Sequence, residues 1–308
     1  MTEPAVHEFE ASPGEARRRL DAVLTERLPH LSRSRIQSLV KAGRVTLGGK
    51  PARSSETVRE GDLLRVEEEA PKPPAGAHPE DIPLRILHED RDLIVVDKPA
   101  GMVVHIGAGH EDGTLVNALL HHAGTLSEGS ESHRPGIVHR LDKETSGCIV
   151  VARNDRIHAD LSAQFADREV GKTYLAVVKG TPRHRTGTVD LPIGRHPVQR
   201  QKMAPRRPPS GREAVTDYEV LASREGWSLV ACRPRTGRTH QIRVHLQNLG
   251  HPIAGDPIYG KRDGFERHLL HAWRLSFRHP GTGETLTCEA PLPEDFGLVP
   301  LPPGKSLS

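Results

Sequence analysis

The chain has 308 residues, 43 Lys+Arg against 40 Asp+Glu, a formal charge of +3, and only 3% aromatic residues. That length suits one large domain plus a small one, and mild basicity permits a nucleic-acid partner without demanding it. So few aromatics argue against a broad stacking platform for single strands, and three dispersed cysteines with no CxxC pair support neither a disulfide framework nor a zinc knuckle.

The first segment, MTEPAVHEFEASPGE, is acidic and lacks the apolar stretch of a secretory signal, so residues 1–15 read as a tail. No run approaches the ~20 apolar residues of a membrane span, and a cytoplasmic location is expected. Residues 16–67 then carry twelve Lys/Arg against six acids, a net +6 that leaves the rest of the chain slightly acidic. In this segment Leu20, Val23, Leu24 and Leu28 recur at helical spacing. A second helix follows, with Ser32 as N-cap, a stripe of Ile36, Leu39 and Val40, and Gly43 as its stop. RVTLGGKPA reads as two strands about Gly48-Gly49, and GDLLRVE as a closing strand. Residues 16–69 thus form a compact module with many arginines left for solvent or a partner. The proline-rich, aperiodic APKPPAGAHPED marks a linker over 70–80.

From 81 to 296 strands outnumber helices. LIVVDKPAG (93–101), GCIVVAR (147–153), KTYLAVVKG (172–180), TDYEVLAS (216–223) and WSLVACRP (227–234) read as strands, TLVNALLHHAG and IHADLSAQFADR as helices. Without a regular βαβ rhythm the fold class is α+β with a mixed, largely antiparallel sheet, followed by a tail over 297–308. GRVTLGGK fails as a phosphate loop because Gly49 stands at the lysine position, and GAGHEDG has the wrong spacing for a dinucleotide fingerprint. His240 and His245, five residues apart, do not share a face as metal ligands need. No metal and no cofactor are expected.

GIVHRLDKETSG (136–147) places Asp142 in a turn between two strand runs, where a carboxylate can project into a cleft from a rigid backbone. In a partly dry pocket that anion needs a cation. Arg243 offers one, beside the stripe Ile242, Leu246 and Leu249 of a helix that Gly250 and Pro252 close. The same spacing also fits an ion pair that merely ties two segments together. GRHPVQRQKMAPRRPPSGR (194–212) holds Arg195, Arg200, Lys202, Arg206, Arg207 and Arg212 without one acid, and its prolines point to an extended loop.

GIVHRLDKETSG and PRTGRTHQIRVHLQNLGHPIAGDPIYG together closely resemble the signature segments of RluA-type pseudouridine synthases. LIVVDKPAGMVVH resembles the opening strand and turn of that catalytic domain, KTYLAVVKG its tyrosine-bearing strand, and residues 16–67 an S4 RNA-binding domain. The layout most resembles the RluD-like members that act on large-subunit ribosomal RNA. One departure is Ile106, after His105, where proline is common. The resemblance implies isomerisation of uridine to pseudouridine by a monomer, with ribosomal RNA as partner and no membrane or cofactor. It makes Asp142 the catalytic aspartate, Tyr174 the tyrosine against the target base, Arg243 the partner of the aspartate, and Arg140 a substrate contact. Arg33, Arg35, Lys41, Arg195, Arg200, Lys202, Arg206 and Arg207 are the expected RNA-backbone contacts.

Pseudouridine formation breaks the N-glycosidic bond, turns the uracil and rejoins it through carbon, with no redox step. Attack on the base, attack on the sugar and elimination through a glycal each use one aspartate. Other uridines in ribosomal or transfer RNA are the alternative substrates. A non-catalytic ribosome-assembly factor has no need of Asp142, Tyr174 and Arg243 together. A glycoside hydrolase needs a second acid, and Glu144 lies in the same turn as Asp142.

Overall fold

The computed structural model describes residues 5–28, 33–68, 77–107, 112–124, 126–127, 134–199 and 201–298. Ser32, Arg200, most of the 70–80 segment and residues 299–308 lie outside these, as do the side chains of Arg33 and Arg35. The chain divides into two compact units, Met1–Ala75 and Gly76–Ser308.

In the first unit, helices α1 (Leu20–Arg27) and α2 (Arg33–Lys41) pack on a four-stranded antiparallel sheet of β1 (Ala5–Glu10), β2 (Val45–Leu47), β3 (Lys50–Pro51) and β4 (Leu63–Glu68). Leu20, Val23, Leu24, Ile36, Leu39, Val45, Leu64 and Val66 form its core. Asp21, fully buried on α1, accepts from the side chains of Arg19 and Gln37 and so ties α1 to α2. The expected tail is corrected here: residues 5–10 pair with β4 along their whole length, Ala5 opposite Glu68 to Glu10 opposite Leu63. Among its described side chains only Phe9 packs on the core, which is why its acidic sequence hid it.

The second unit is built on a nine-stranded mixed sheet. Its strands are β5 (Arg85–Glu89), β6 (Leu93–Lys98), β7 (Ser146–Ala152), β8 (Gly171–Lys179), β9 (Thr186–Asp190), β12 (Val215–Arg224), β13 (Trp227–Pro234), β14 (Leu270–Arg278) and β15 (Thr285–Glu289). The order is β5-β6-β7-β14-β8-β13-β12-β9, with β15 also on β14. The β7–β14 pair is parallel and the other pairs are antiparallel. Helix α3 (Leu115–Ala123) starts on Thr114, whose hydroxyl accepts from the Asn117 N–H, and Gly124 ends it with φ of 71°. Helix α4 (Asp155–Ala166) starts on Asn154, whose side chain accepts from the Ile157 N–H. Helix α5 (Gln241–Asn248) packs Ile242 and Leu246 against β8, β12 and β13 residues.

The 194–212 segment, expected as an extended loop, contains a short antiparallel hairpin, β10 (Ile193–Arg195) with β11 (Met203–Pro205). Pro205 stands at the strand end, and Gly194 passes so close that an added Cβ would lie 2.3 Å from the Ser210 carbonyl oxygen.

Candidate active site

The turn carrying Asp142 is closed by the Thr145 N–H, which donates to the Asp142 carbonyl at 3.0 Å. Beyond it the backbone must pass β14 closely. Gly147, with φ of 111°, sits where a Cβ would lie 2.2 Å from the carbonyl oxygen of Ala272. That contact is why the turn ends in glycine. Thr145 and Ser146 add side-chain hydrogen bonds of 2.9 Å each to His268 Nε2 and His271 Nδ1.

Lys98 supports the same turn from the other side. Its fully buried ammonium donates to the carbonyls of Pro99, Met102 and Lys143 at 2.7, 3.0 and 3.1 Å. Burial pushes its pKa down to about 7, opposed by the negative charge of Glu144 and Asp142.

Asp142 is about a quarter exposed and opens into a pocket lined by Arg140, Tyr174, Thr236, Arg238, His240 and Arg243, among others. Arg243 projects from the first turn of α5 and is almost wholly buried. Its guanidinium divides its donors between two carboxylates. Nε and Nη2 donate to Asp256 Oδ2 and Oδ1 at 2.7 and 3.0 Å, and Nη1 donates to Asp142 Oδ2 at 3.0 Å. Asp256 Oδ1 also accepts the backbone N–H groups of Ile258 and Tyr259. Burial alone would raise the Asp256 carboxyl, but the Arg243 hydrogen bonds and charge, with those two N–H groups, hold it below the usual range. Arg243 is therefore a cation fixed by a fully buried acid that presents its remaining edge to Asp142.

The resemblance assigned Asp142, Arg140, Tyr174 and Arg243 to one site, and the fold brings all four to one pocket. Tyr174, on β8, packs among the apolar clusters beneath the pocket; burial, and then the charge of Asp142, raises its pKa and keeps the phenol protonated. Arg140 is exposed at the rim. Glu144 lines a separate recess with Arg267 and Asp295, away from the Asp142 pocket. His240 lines the pocket, whereas His245 is buried between Thr216 Oγ1 and the Leu191 carbonyl, so the two do not converge.

Sequence reasoning missed Asp256, although it lies inside the quoted GDPIYG, where glycine and proline signal only a turn. It also missed a basic recess that shares Arg140, Tyr174 and Arg238 with the pocket and continues along Arg168, Lys172, Arg212 and Arg235. Arg168 and Arg235 are paired there with Glu213 and Asp217, which tempers their field. Of the expected RNA contacts, Lys41, Arg195 and Arg207 are exposed, Arg206 is partly buried, and Lys202 stands 5.4 Å over the Tyr259 ring.

Among the described residues, one cluster has metal-ligand chemistry: His88, Asp90 and His279. Its hydrogen bonds fix a different role. His279 Nδ1 accepts the N–H groups of Gly281 and Thr282, so its proton sits on Nε2, which donates to Asp90 Oδ2 at 2.9 Å. A metal on Nε2 would need the opposite tautomer. His88 Nε2 meets the same Asp90 oxygen at 2.9 Å, and the three side chains clamp the β5–β6 turn to the end of β14.

A family profile described as RNA pseudouridylate synthase matches residues 92–248, and an S4 domain profile matches residues 18–64. The ribosomal large subunit pseudouridine synthase D of Zymomonas mobilis is 44% identical, over 91% of this chain and 92% of its own. The protein of the same name from Xanthomonas campestris is 46% identical, over 91% and 87%. An uncharacterised RNA pseudouridine synthase of Bacillus subtilis is 44% identical over 93% and 94%. Among solved structures, human RNA pseudouridylate synthase domain containing 1 superposes with a TM-score of 0.57 and 29% identity, over 69% of this chain and 84% of that one. With both domains matched and the long motifs gathered at one pocket, the chain belongs to the RluA family of pseudouridine synthases carrying an S4 domain, and it is an RNA-modifying isomerase.

Proposed function

We propose that the chain converts specific uridines of large-subunit ribosomal RNA to pseudouridine, with Asp142 as the catalytic carboxylate acting on a flipped-out uridine. The observation that carries the assignment is the Asp142–Arg243 contact in a pocket that also holds Tyr174. The ribosomal substrate is supported by the names of relatives that match over 91% of the chain, and by the S4 domain profile matched at residues 18–64. Flipping a uridine costs on the order of a few kcal/mol, and stacking on one aromatic ring returns roughly 1–3 kcal/mol. Tyr174 offsets much of that cost. Arg140, the basic recess and the β10–β11 hairpin hold phosphates around the flipped nucleotide.

Arg243 holds and aims Asp142, because its own position is set by Asp256 and not by the substrate. The deciding experiment maps pseudouridines in ribosomal RNA from a strain lacking the gene, then restores it as wild type or as Asp142→Asn. Large-subunit sites should vanish and return only with the wild type. Their return with Asp142→Asn would refute the catalytic role; unchanged ribosomal RNA with altered transfer RNA would refute the substrate.

A further inference from the structure

Helix α5 begins on His240 in the left-handed region, with φ of 55° and ψ of 20°. A side chain with a Cβ is strained there, and asparagine is the residue that tolerates it best. The imidazole has an arrangement that asparagine cannot copy. Nδ1 lies 2.9 Å from Tyr259 Oη, and Nε2 lies 3.8 Å from Asp142 Oδ2. Tyr259 Oη also accepts the Met203 N–H at 2.8 Å. A phenol has one proton, and with Met203 occupying a lone pair that proton is free to donate to Nδ1. When it does so, the imidazole's own proton is on Nε2, the nitrogen turned toward Asp142.

Asp142 receives both neighbours on one side. Arg243 Nη1 and His240 Nε2 face Oδ2, whereas Oδ1 accepts no hydrogen bond among the described residues. At 3.8 Å the histidine is about 1 Å beyond hydrogen-bonding distance, a gap that a small rotation of the carboxylate closes.

We infer that His240 is a positioning residue: its Nε2–H, fixed by Tyr259, joins Arg243 in holding Oδ2 and leaves Oδ1 as the oxygen that reacts with uridine. Through Met203 the arrangement is tied to the basic β10–β11 hairpin, so RNA seated on that hairpin bears on the aim of the carboxylate. The inference rests on Asp142 being the catalytic group.

The test compares His240→Gln with His240→Asn. A glutamine amide reaches the Nε2 position, and an asparagine amide reaches only the Nδ1 position but suits the left-handed backbone better. The inference expects Gln to keep kcat within about threefold and Asn to lose at least roughly tenfold, the worth of one hydrogen bond, with KM for RNA little changed. A role limited to starting the helix expects the reverse order, and Asn equal to or better than Gln overturns the inference. Nitrogen chemical shifts of the wild-type imidazole supply a readout independent of turnover. The Nε2–H tautomer should dominate, and Tyr259→Phe should release the other; a dominant Nδ1–H tautomer in the wild type overturns the inference as well. An Asp142→Asn control that remained active would remove the underlying reading instead, a separate and recognisable failure.

Discussion

Two carboxylates share Arg243, and the structure says which one carries its stability. Asp256 is fully buried, Arg243 is 4% exposed, and they meet through two hydrogen bonds; Asp142 is 24% exposed and makes one. Asp256→Asn keeps the volume but leaves a buried guanidinium facing an amide. Breaking a buried pair in this way costs about 3–5 kcal/mol. For a unit of this size that lowers Tm by on the order of 10 °C. Asp142→Asn removes one partly solvated contact and should cost about 1 kcal/mol. Chemical denaturation and thermal melts of the two variants check the order. Adding Arg243→Met to Asp256→Asn should recover at least about 2 kcal/mol relative to additivity, since no buried charge is then left alone.

The pH dependence carries a sign of its own. The folded Asp256 carboxyl lies below its unfolded value, so its contribution is present above the ordinary aspartate pKa of about 3.9 and is lost as pH falls through the folded value. The stability gap between wild type and Asp256→Asn should therefore be constant near neutrality and narrow below about pH 4. If Asp142→Asn proves the more damaging change, or if the gap ignores acid, the division of labour around Arg243 is refuted.

Asp142→Asn should abolish turnover while RNA affinity, measured by filter binding, stays near wild type. Deleting residues 1–75 should leave a cooperatively folding catalytic unit whose RNA affinity is lower and less salt-dependent, because phosphate contacts release counterions; an unchanged salt slope would separate the S4 unit from the RNA tested. Gly147→Ala should destabilise by at least about 3 kcal/mol, combining an unfavourable φ with a collision against the Ala272 backbone, as denaturant titration would reveal. Lys98→Met should remove a rise of stability between about pH 7 and pH 10, because the folded lysine, near 7, gives up its proton before the unfolded one does. A wild-type curve flat over that window would contradict the buried ammonium's depressed pKa.

The sequence announces β6, β7 and β8 because each is a run of apolar residues buried on both faces or nearly so. It conceals β14, although that strand lies between β7 and β8. LHAWRLSFR mixes in His271, Arg274 and Ser276, and what makes His271 acceptable there is its bond to Ser146, 125 residues away. The same limit applies at the site. Asp142, Arg140, Tyr174 and Arg243 are legible through long motifs. Asp256 and Tyr259 matter through a turn whose side chain captures its own backbone, and His240 through a backbone angle, neither of which residue type alone specifies.

The parallel pairing of β7 with β14 has a consequence for biosynthesis. Every contact of the S4 unit's sheet is complete once residue 68 has been made, whereas β7 waits for residues 270–278 before its second neighbour exists. During translation an RNA-gripping module can therefore fold while the catalytic sheet is still open along one edge of β7 and has no reactive pocket. A nascent chain halted after Gly260 should resist protease up to about residue 68 and be cut freely beyond it, holding RNA without yet being able to change it.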